Sequence, residues 1–292
     1  MAGRAGVVVG AVVLALGCLA TAWAQQRPAL GSAPPPEIEG NVLLPALYPT
    51  ADSFGHGFNF CRGLYTSSGV IREAGGMGWA TDYPQADRNM MIRLAEMTLT
   101  RVGRRPDRNG ELTEPAFLVV PLISDNLFQC PYIHLMDVGW AAFTDKEVEN
   151  LRAYLMKGGF LWADDFWGER AFDHFAREIG RVLPPDIYPI LDISPDHEIF
   201  RMQYQLREVP QIPSIQYWRA SRGGISERGP DSATPHVRGI YGASGQLIVL
   251  MTHNTDISDA WERERDDPRF FYAFSPAGFS FGINVLLYSL TH

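Results

Sequence analysis

Two adjacent carboxylates close the apolar run Phe160-Leu161-Trp162-Ala163 as Asp164-Asp165-Phe166. Like charges side by side repel, and burying either is costly, so a strand ending in such a pair asks for a chemical reason. The pair can hold a hard cation, accept hydrogen bonds from sugar hydroxyls or meet a cationic ligand. Each carboxylate can also raise the other's pKa for acid–base work. Side chains alternate across a strand, so one Asp would face a cleft while the other, Asp165, could cap a following helix. A related set, His253-Asn254-Thr255-Asp256, follows the apolar run Leu247 to Leu250, with Asp259 and Trp261 just beyond. Asp256 and Asn254 joined to Asp164 would be an oxygen-rich site suited to Mg²⁺ or Ca²⁺ rather than zinc. A chain of Asx turns leading into a short helix is the alternative.

A third stretch, Gly78 to Asp87, places Trp79, Tyr83, Asp82 and Asp87 between turn residues. A fixed loop with Trp and Asp suits carbohydrate or peptide recognition. The rings could equally pin the loop to the core, with Asp87 capping a helix. Arg62 and Tyr65 end an earlier strand, and Arg62 can form a structural ion pair with Asp82 or Asp164. His197, after Asp196 in a turn, could serve as base or ligand, although a hydrogen-bonded turn histidine is the commoner role. The ligand-binding candidates are therefore Arg62, Tyr65, Trp79, Asp82, Asp164, Asp165, His197, Asn254 and Asp256. No catalytic residue is assigned, and no cofactor beyond Mg²⁺ or Ca²⁺. No Ser-His-Asp motif, P-loop or dinucleotide-binding glycine fingerprint is present.

Alternating strand-like and helix-like segments position these groups, which predicts a largely parallel sheet with helices on its faces. Strands are expected at Phe58 to Tyr65, Ala116 to Val120 (a buried central strand), Phe160 to Ala163 and Ile187 to Ile193. Helices are expected over 86–100, after the capping box Thr144-Asp145-Lys146-Glu147, over 169–182, and from Ser275-Pro276 to Leu290. Gly158-Gly159 ends the capped helix. His236 to Tyr241 and Gln246 to Met251 read as a hairpin. Asp164 and Asp165 then lie at the carboxyl end of a parallel strand, where open α/β sheets bind ligands.

Composition sets the class. Of 292 residues, 46% are apolar and 20% charged, as in a globular protein with a sizeable core. Residues 1–24 carry Arg4, an apolar run from Val7 to Ala20 and the A-x-A site Ala22-Trp23-Ala24, a secretory signal peptide cleaved after Ala24. An uncleaved anchor, or lipidation at the weak box Ala15-Leu16-Gly17-Cys18, are the rivals and the only membrane links expected. A periplasmic or secreted location follows. Removing the leader leaves 24 basic against 33 acidic residues, which argues against a nucleic-acid partner. Arg101, Arg104, Arg105 and Arg108 lie among Gly, Pro and Asn, as a solvated loop does. Residues 25–53, with Pro34-Pro35-Pro36, read as a linker or arm, and 54–292 as one domain. Cys61 and Cys130 can form one disulfide or stand as two buried free thiols.

Phe60 to Tyr65, Gly78 to Asp87, Gly158 to Leu161 with Asp164 to Phe166, Asp196 to Phe200, and Asn254 to Asp256 before Asp259 to Glu262 form an ordered set of stretches. Taken together they resemble a bacterial family known as domain of unknown function 4159. The resemblance spans roughly 54–292. It implies an α/β fold of the three-layer flavodoxin-like or class I glutamine amidotransferase-like kind, in its ThuA-like branch, with a mostly parallel sheet and a C-terminal hairpin. It also implies a setting in an envelope complex with membrane-anchored von Willebrand-type proteins and a partner ATPase. Amidotransferases keep a Cys nucleophile in the turn after this kind of strand. Here the turn holds Asp164-Asp165-Phe166, which argues against that chemistry. Three functions remain open: a ligand-binding module with a carboxylate-lined cleft, an envelope-assembly domain, or a metal- or carboxylate-dependent hydrolase or lyase acting on a carbohydrate or other envelope substrate.

Overall fold

Strand β1 (Phe60–Leu64) is followed by β2 (Phe117–Pro121), β3 (Tyr132–Met136), β4 (Phe160–Phe166), β5 (Leu191–Asp192), β6 (His236–Tyr241) and β7 (Leu247–His253). They form a sheet of order β2-β1-β3-β4-β7-β6-β5. The neighbours from β2 to β7 pair in parallel, and β6 runs antiparallel to both β7 and β5. The protein is thus α/β with a mostly parallel central sheet. The computed structural model describes residues 46–68, 78–107 and 109–292, with the backbone of 37–38 and 42–43. The leader and most of the expected arm lie outside the described residues.

Helices α1 (Gln85–Met97), α2 (Asp145–Met156), α3 (Glu169–Val182), α4 (Ile215–Ala220), α5 (Asp259–Glu262) and α6 (Pro268–Thr291) complete the fold. The parallel strands β1, β2, β3, β4 and β7 are buried almost throughout on both faces, as strands covered by helices must be. On one face Trp162 of β4 meets Trp261 of α5 and Phe281 of α6. Toward the other, Phe175 of α3 meets Phe166. Helix α6 is long and apolar enough to cross a membrane, but Phe279, Phe281, Ile283, Val285 and Leu286 are buried within this core.

The local signals hold. Thr144 and Glu147 form a reciprocal capping box on α2, which stops before Gly158 at φ +93°. The hairpin is β6–β7. Cys61 and Cys130 are bridged, linking β1 to the residues just before β3.

Three expectations are corrected. The 116–120 run forms β2 at the sheet edge rather than its centre, since a continuous apolar run reports covered faces and not paired edges. Leu47 covers that edge by accepting from the Val119 amide (2.8 Å). The 187–193 segment pairs only at Leu191–Asp192, because Pro189 cannot donate to a ladder. Helix α6 starts at Pro268, with Asp267 as cap. Pro276 lies inside the helix, and the Ser275 hydroxyl donates to Ala260 rather than capping.

Candidate functional site

The paired aspartates form a β-bulge. Met251 pairs with Ala163 and His253 with Phe166, so Asp164 and Asp165 together oppose the single residue Thr252. A bulge re-aims side chains, and Asp165 adopts the left-handed region at φ +55°. Asp164 points inward and is fully buried. Its Oδ1 accepts from the Thr252 hydroxyl (2.5 Å), and its Oδ2 accepts from the Ser258 amide (3.1 Å) and hydroxyl (3.2 Å). Burial pushes its pKa up to about 7 against those hydrogen bonds. Asp165 faces a cleft and accepts from the Trp167 indole (2.9 Å).

That cleft, about 1560 Å³, lies at the carboxyl edge of the sheet. The connections after β1, β3 and β7, and the carboxyl end of β4 itself, each bring a non-glycine residue with positive φ to this edge: Asp82 (62°), Asp137 (51°), Asn254 (62°) and Asp165 (55°). Left-handed backbone costs a non-glycine residue on the order of 1 kcal/mol and clusters at functional sites; Asp and Asn bear it best. Three of these four are acids lining the cleft.

The convergence is closest among Asp82, Asp256 and Asp259, each offering a carboxylate oxygen within 4.8 Å of the other two. Asp256 Oδ1 accepts from the Asp259 amide, and Asp259 Oδ2 accepts from the Ile215 amide, so α5 and α4 fix their orientation. Asp82 Oδ2 is buried without a hydrogen-bond partner among the described residues. Burial, and then neighbouring acids, push Asp256 and Asp259 well above the carboxylate range. Glu262 goes up to about 9, through burial and then the charge of Asp82. Asp137 reaches about 7 through burial, although the Gly78 amide donates to its Oδ2 (3.0 Å). Arg263 offsets part of this charge from one side, 3.7 Å from Asp259 and 2.6 Å from Glu262, and the remainder is stabilised by a proton or a further cation. Opposite oxygens around one Mg²⁺ or Ca²⁺ lie about 4 to 5 Å apart, so this set fits a hard cation.

Of the ligand-binding candidates named from sequence, Asp82, Asp165 and Asp256 meet in the cleft and the other candidates do not line it; Tyr83 and Asp259, noted without a ligand role, do. Asp164 lies beneath as a support, so it does not join Asp256 and Asn254 in one site. Arg62 pairs with Asp87 instead of Asp82 or Asp164, both fully buried, and Asp87 is therefore no helix cap. The Arg62 guanidinium also donates to the carbonyls of Trp79 (3.2 Å) and Thr81 (2.7 Å), bracing the loop that presents Asp82. The Tyr65 hydroxyl donates to the carbonyls of Met136 and Asp137 and braces that turn. Trp79 is a core residue against Tyr83. His197 Nδ1 accepts from the Ile199 amide, and its ring packs on Tyr241 and Tyr288, outside the cleft lining. Asn254 donates to Thr234 and accepts from the Gly168 amide, tying β7 to the start of α3.

Sequence reasoning missed Asp137 and Glu262, and gave Asp259 no role. Asp137 carried a usable signal: it follows the apolar run Tyr132–Met136 just as Asp164 follows its own. No curated protein matches the chain. Residues 69–290, most of the chain and all of the cleft-lining acids, match the family described as Domain of unknown function (DUF4159), and the chain belongs to it.

Proposed function

We propose that this domain is an exported binding module whose carboxyl-edge cleft takes a divalent cation, Mg²⁺ or Ca²⁺, at Asp82, Asp256 and Asp259, and holds its ligand there. The carrying observation is the mutual approach of those three carboxylates within 4.8 Å, with Asp82 Oδ2 lacking a donor among the described residues. The Cys61–Cys130 disulfide supports export, since such bridges persist in oxidising compartments. The parallel order β2-β1-β3-β4-β7 supports kinship with flavodoxin-like and amidotransferase-like sheets, where ligands sit beyond the strands' carboxyl ends. Assembly with von Willebrand-type membrane proteins and an ATPase rests on family resemblance and on no feature of the cleft.

A hydrolase or lyase using the same cation is the second reading, favoured by Asp137. It lines the cleft beside the cation set with a pKa near 7, the range of a general acid or base.

Thermal shift and calorimetry on the mature protein test the binding reading. Saturating Mg²⁺ or Ca²⁺, relative to chelator, raises Tm by roughly 5–10 °C if the cation is held a hundredfold above its Kd. Asp256→Asn loses the shift while its cation-free Tm equals or exceeds that of wild type, because a repelling charge is gone. A wild type indifferent to divalent cations refutes the reading.

A further inference from the structure

The cleft has a second layer of charge that cation binding leaves unexplained. Arg170 and Arg177, two turns apart on α3, both line it from exposed positions. Neither makes a hydrogen bond or ion pair with any described residue. Arg228 reaches the same cleft from the 214–231 wall, and its charge acts on Asp137. Trp140, half-buried, and Trp167, whose indole donates to Asp165, add aromatic surface to the lining. The floor holds the acidic cluster with Arg263 beside it, and the rim mixes the exposed acids Asp231 and Asp266 with Arg228 and the unpaired guanidiniums of Arg170 and Arg177.

That layering selects among ligands. Guanidiniums left without ion pairs call for an anionic partner, which neither a cationic nor a neutral ligand supplies. An anion would be repelled by a bare acidic floor, but a floor neutralised by a cation becomes attractive to it, and the rim adds charge-assisted hydrogen bonds. The volume exceeds the roughly 300–1,000 Å³ of a site for one small molecule, so it suits several linked units. Aromatic faces with hydroxyl-accepting carboxylates suit sugar rings.

We propose that the ligand is an anionic oligosaccharide, its carboxylate or phosphate groups read by Arg170, Arg177 and Arg228 and its rings lying toward Trp140 and Trp167. The proposal rests on the cation reading above for the neutralised floor.

Calorimetry on the mature, disulfide-bonded protein with cation present would use four probes. Trigalacturonate tests a carboxylate source, 6-phosphomaltotriose a phosphate source, maltotriose serves as the neutral control, and a short DNA oligonucleotide tests a non-sugar polyanion. One anionic sugar is expected to bind at least about tenfold tighter than maltotriose, the worth of one charge-assisted contact. The double variant Arg170→Gln/Arg177→Gln is expected to lose about tenfold or more toward that sugar while keeping the cation-induced Tm shift. The proposal is overturned if neither anionic sugar exceeds maltotriose, if the double variant binds as wild type does, or if the oligonucleotide binds tightest. Anionic-sugar binding that survives chelation, without any cation shift, removes the cation reading and leaves the arginine rim supported.

Discussion

Asp164 and Asp165 are neighbours in sequence with opposite tasks, and one residue's backbone divides them. The left-handed turn at Asp165 sends its side chain into the cleft, while Asp164 stays in the interior between Thr252 and Ser258. Asp164 and Asp137 are both held near pKa 7, far above an ordinary aspartate. The folded state therefore binds more protons than the unfolded state between about pH 4 and 7, and stability falls as pH rises through that window. The contribution is fully present below the unfolded pKa and gone above the folded one. In chelator, Tm is expected to drop from pH 5 to pH 8. Asp164→Asn should flatten that slope and recover up to about 4 kcal/mol at pH 8. The amide fits the site: its oxygen can accept from Ser258 while its NH₂ donates to the Thr252 hydroxyl, which turns toward the Ala163 carbonyl. An unchanged slope in the variant would show that Asp164 is ionised throughout.

At the level of elements, the cation set depends on supports that never touch the cleft. Arg62, in β1, reaches under the 78–84 loop to two carbonyls and pairs with Asp87 of α1. Lysine keeps the charge but has no planar fork for this double task. Arg62→Lys is expected to cost about 3 kcal/mol in chemical denaturation and to weaken cation binding, because Asp82 loses its brace. Full stability with weakened binding would place Arg62 in the cleft itself; full stability with unchanged binding would make the clamp idle. The elements most legible in the sequence were those written locally. They include the Thr144–Glu147 box, the Gly158 stop, the β6–β7 hairpin and the apolar β4 run. Long-range pairings were not legible. Nothing near Val119 reports that Leu47 will close its edge, and nothing in Asp164-Asp165 reports a register shift against β7. The site was half legible for the same reason. The carboxyl-edge rule pointed to Asp82, Asp165 and Asp256, whereas Asp137 follows β3, where His134 interrupts the apolar run and leaves a weaker form of the same signal.

Across the whole molecule, the cleft exists only while β1, β3, β4 and β7 stay in one sheet, since each is followed by part of the acidic floor. The β1–β3 contact carries the fewest ladder partners along that row, with Arg62 opposite His134 as its one paired position. The Cys61–Cys130 bridge spans this seam, joining residues 69 positions apart in sequence. A loop of that length is expected to contribute about 4 kcal/mol, mainly by restricting the unfolded chain. Reduction, or Cys61→Ala/Cys130→Ala, should therefore lower Tm by roughly 10 °C. Divalent cation binds the folded sheet and not the open chain, so saturating Mg²⁺ or Ca²⁺ should restore a large part of that loss. Scanning calorimetry on oxidised and reduced protein, each with cation and with chelator, separates the two contributions. If they act on the same folded state, the bridge and cation increments add. If reduction leaves Tm in place, the seam is held by the sheet alone and the disulfide no longer supports an oxidising compartment. If reduction abolishes the cation increment, the bridge shapes the cleft directly, and the acidic floor depends on the β1–β3 seam for its geometry as well as its stability.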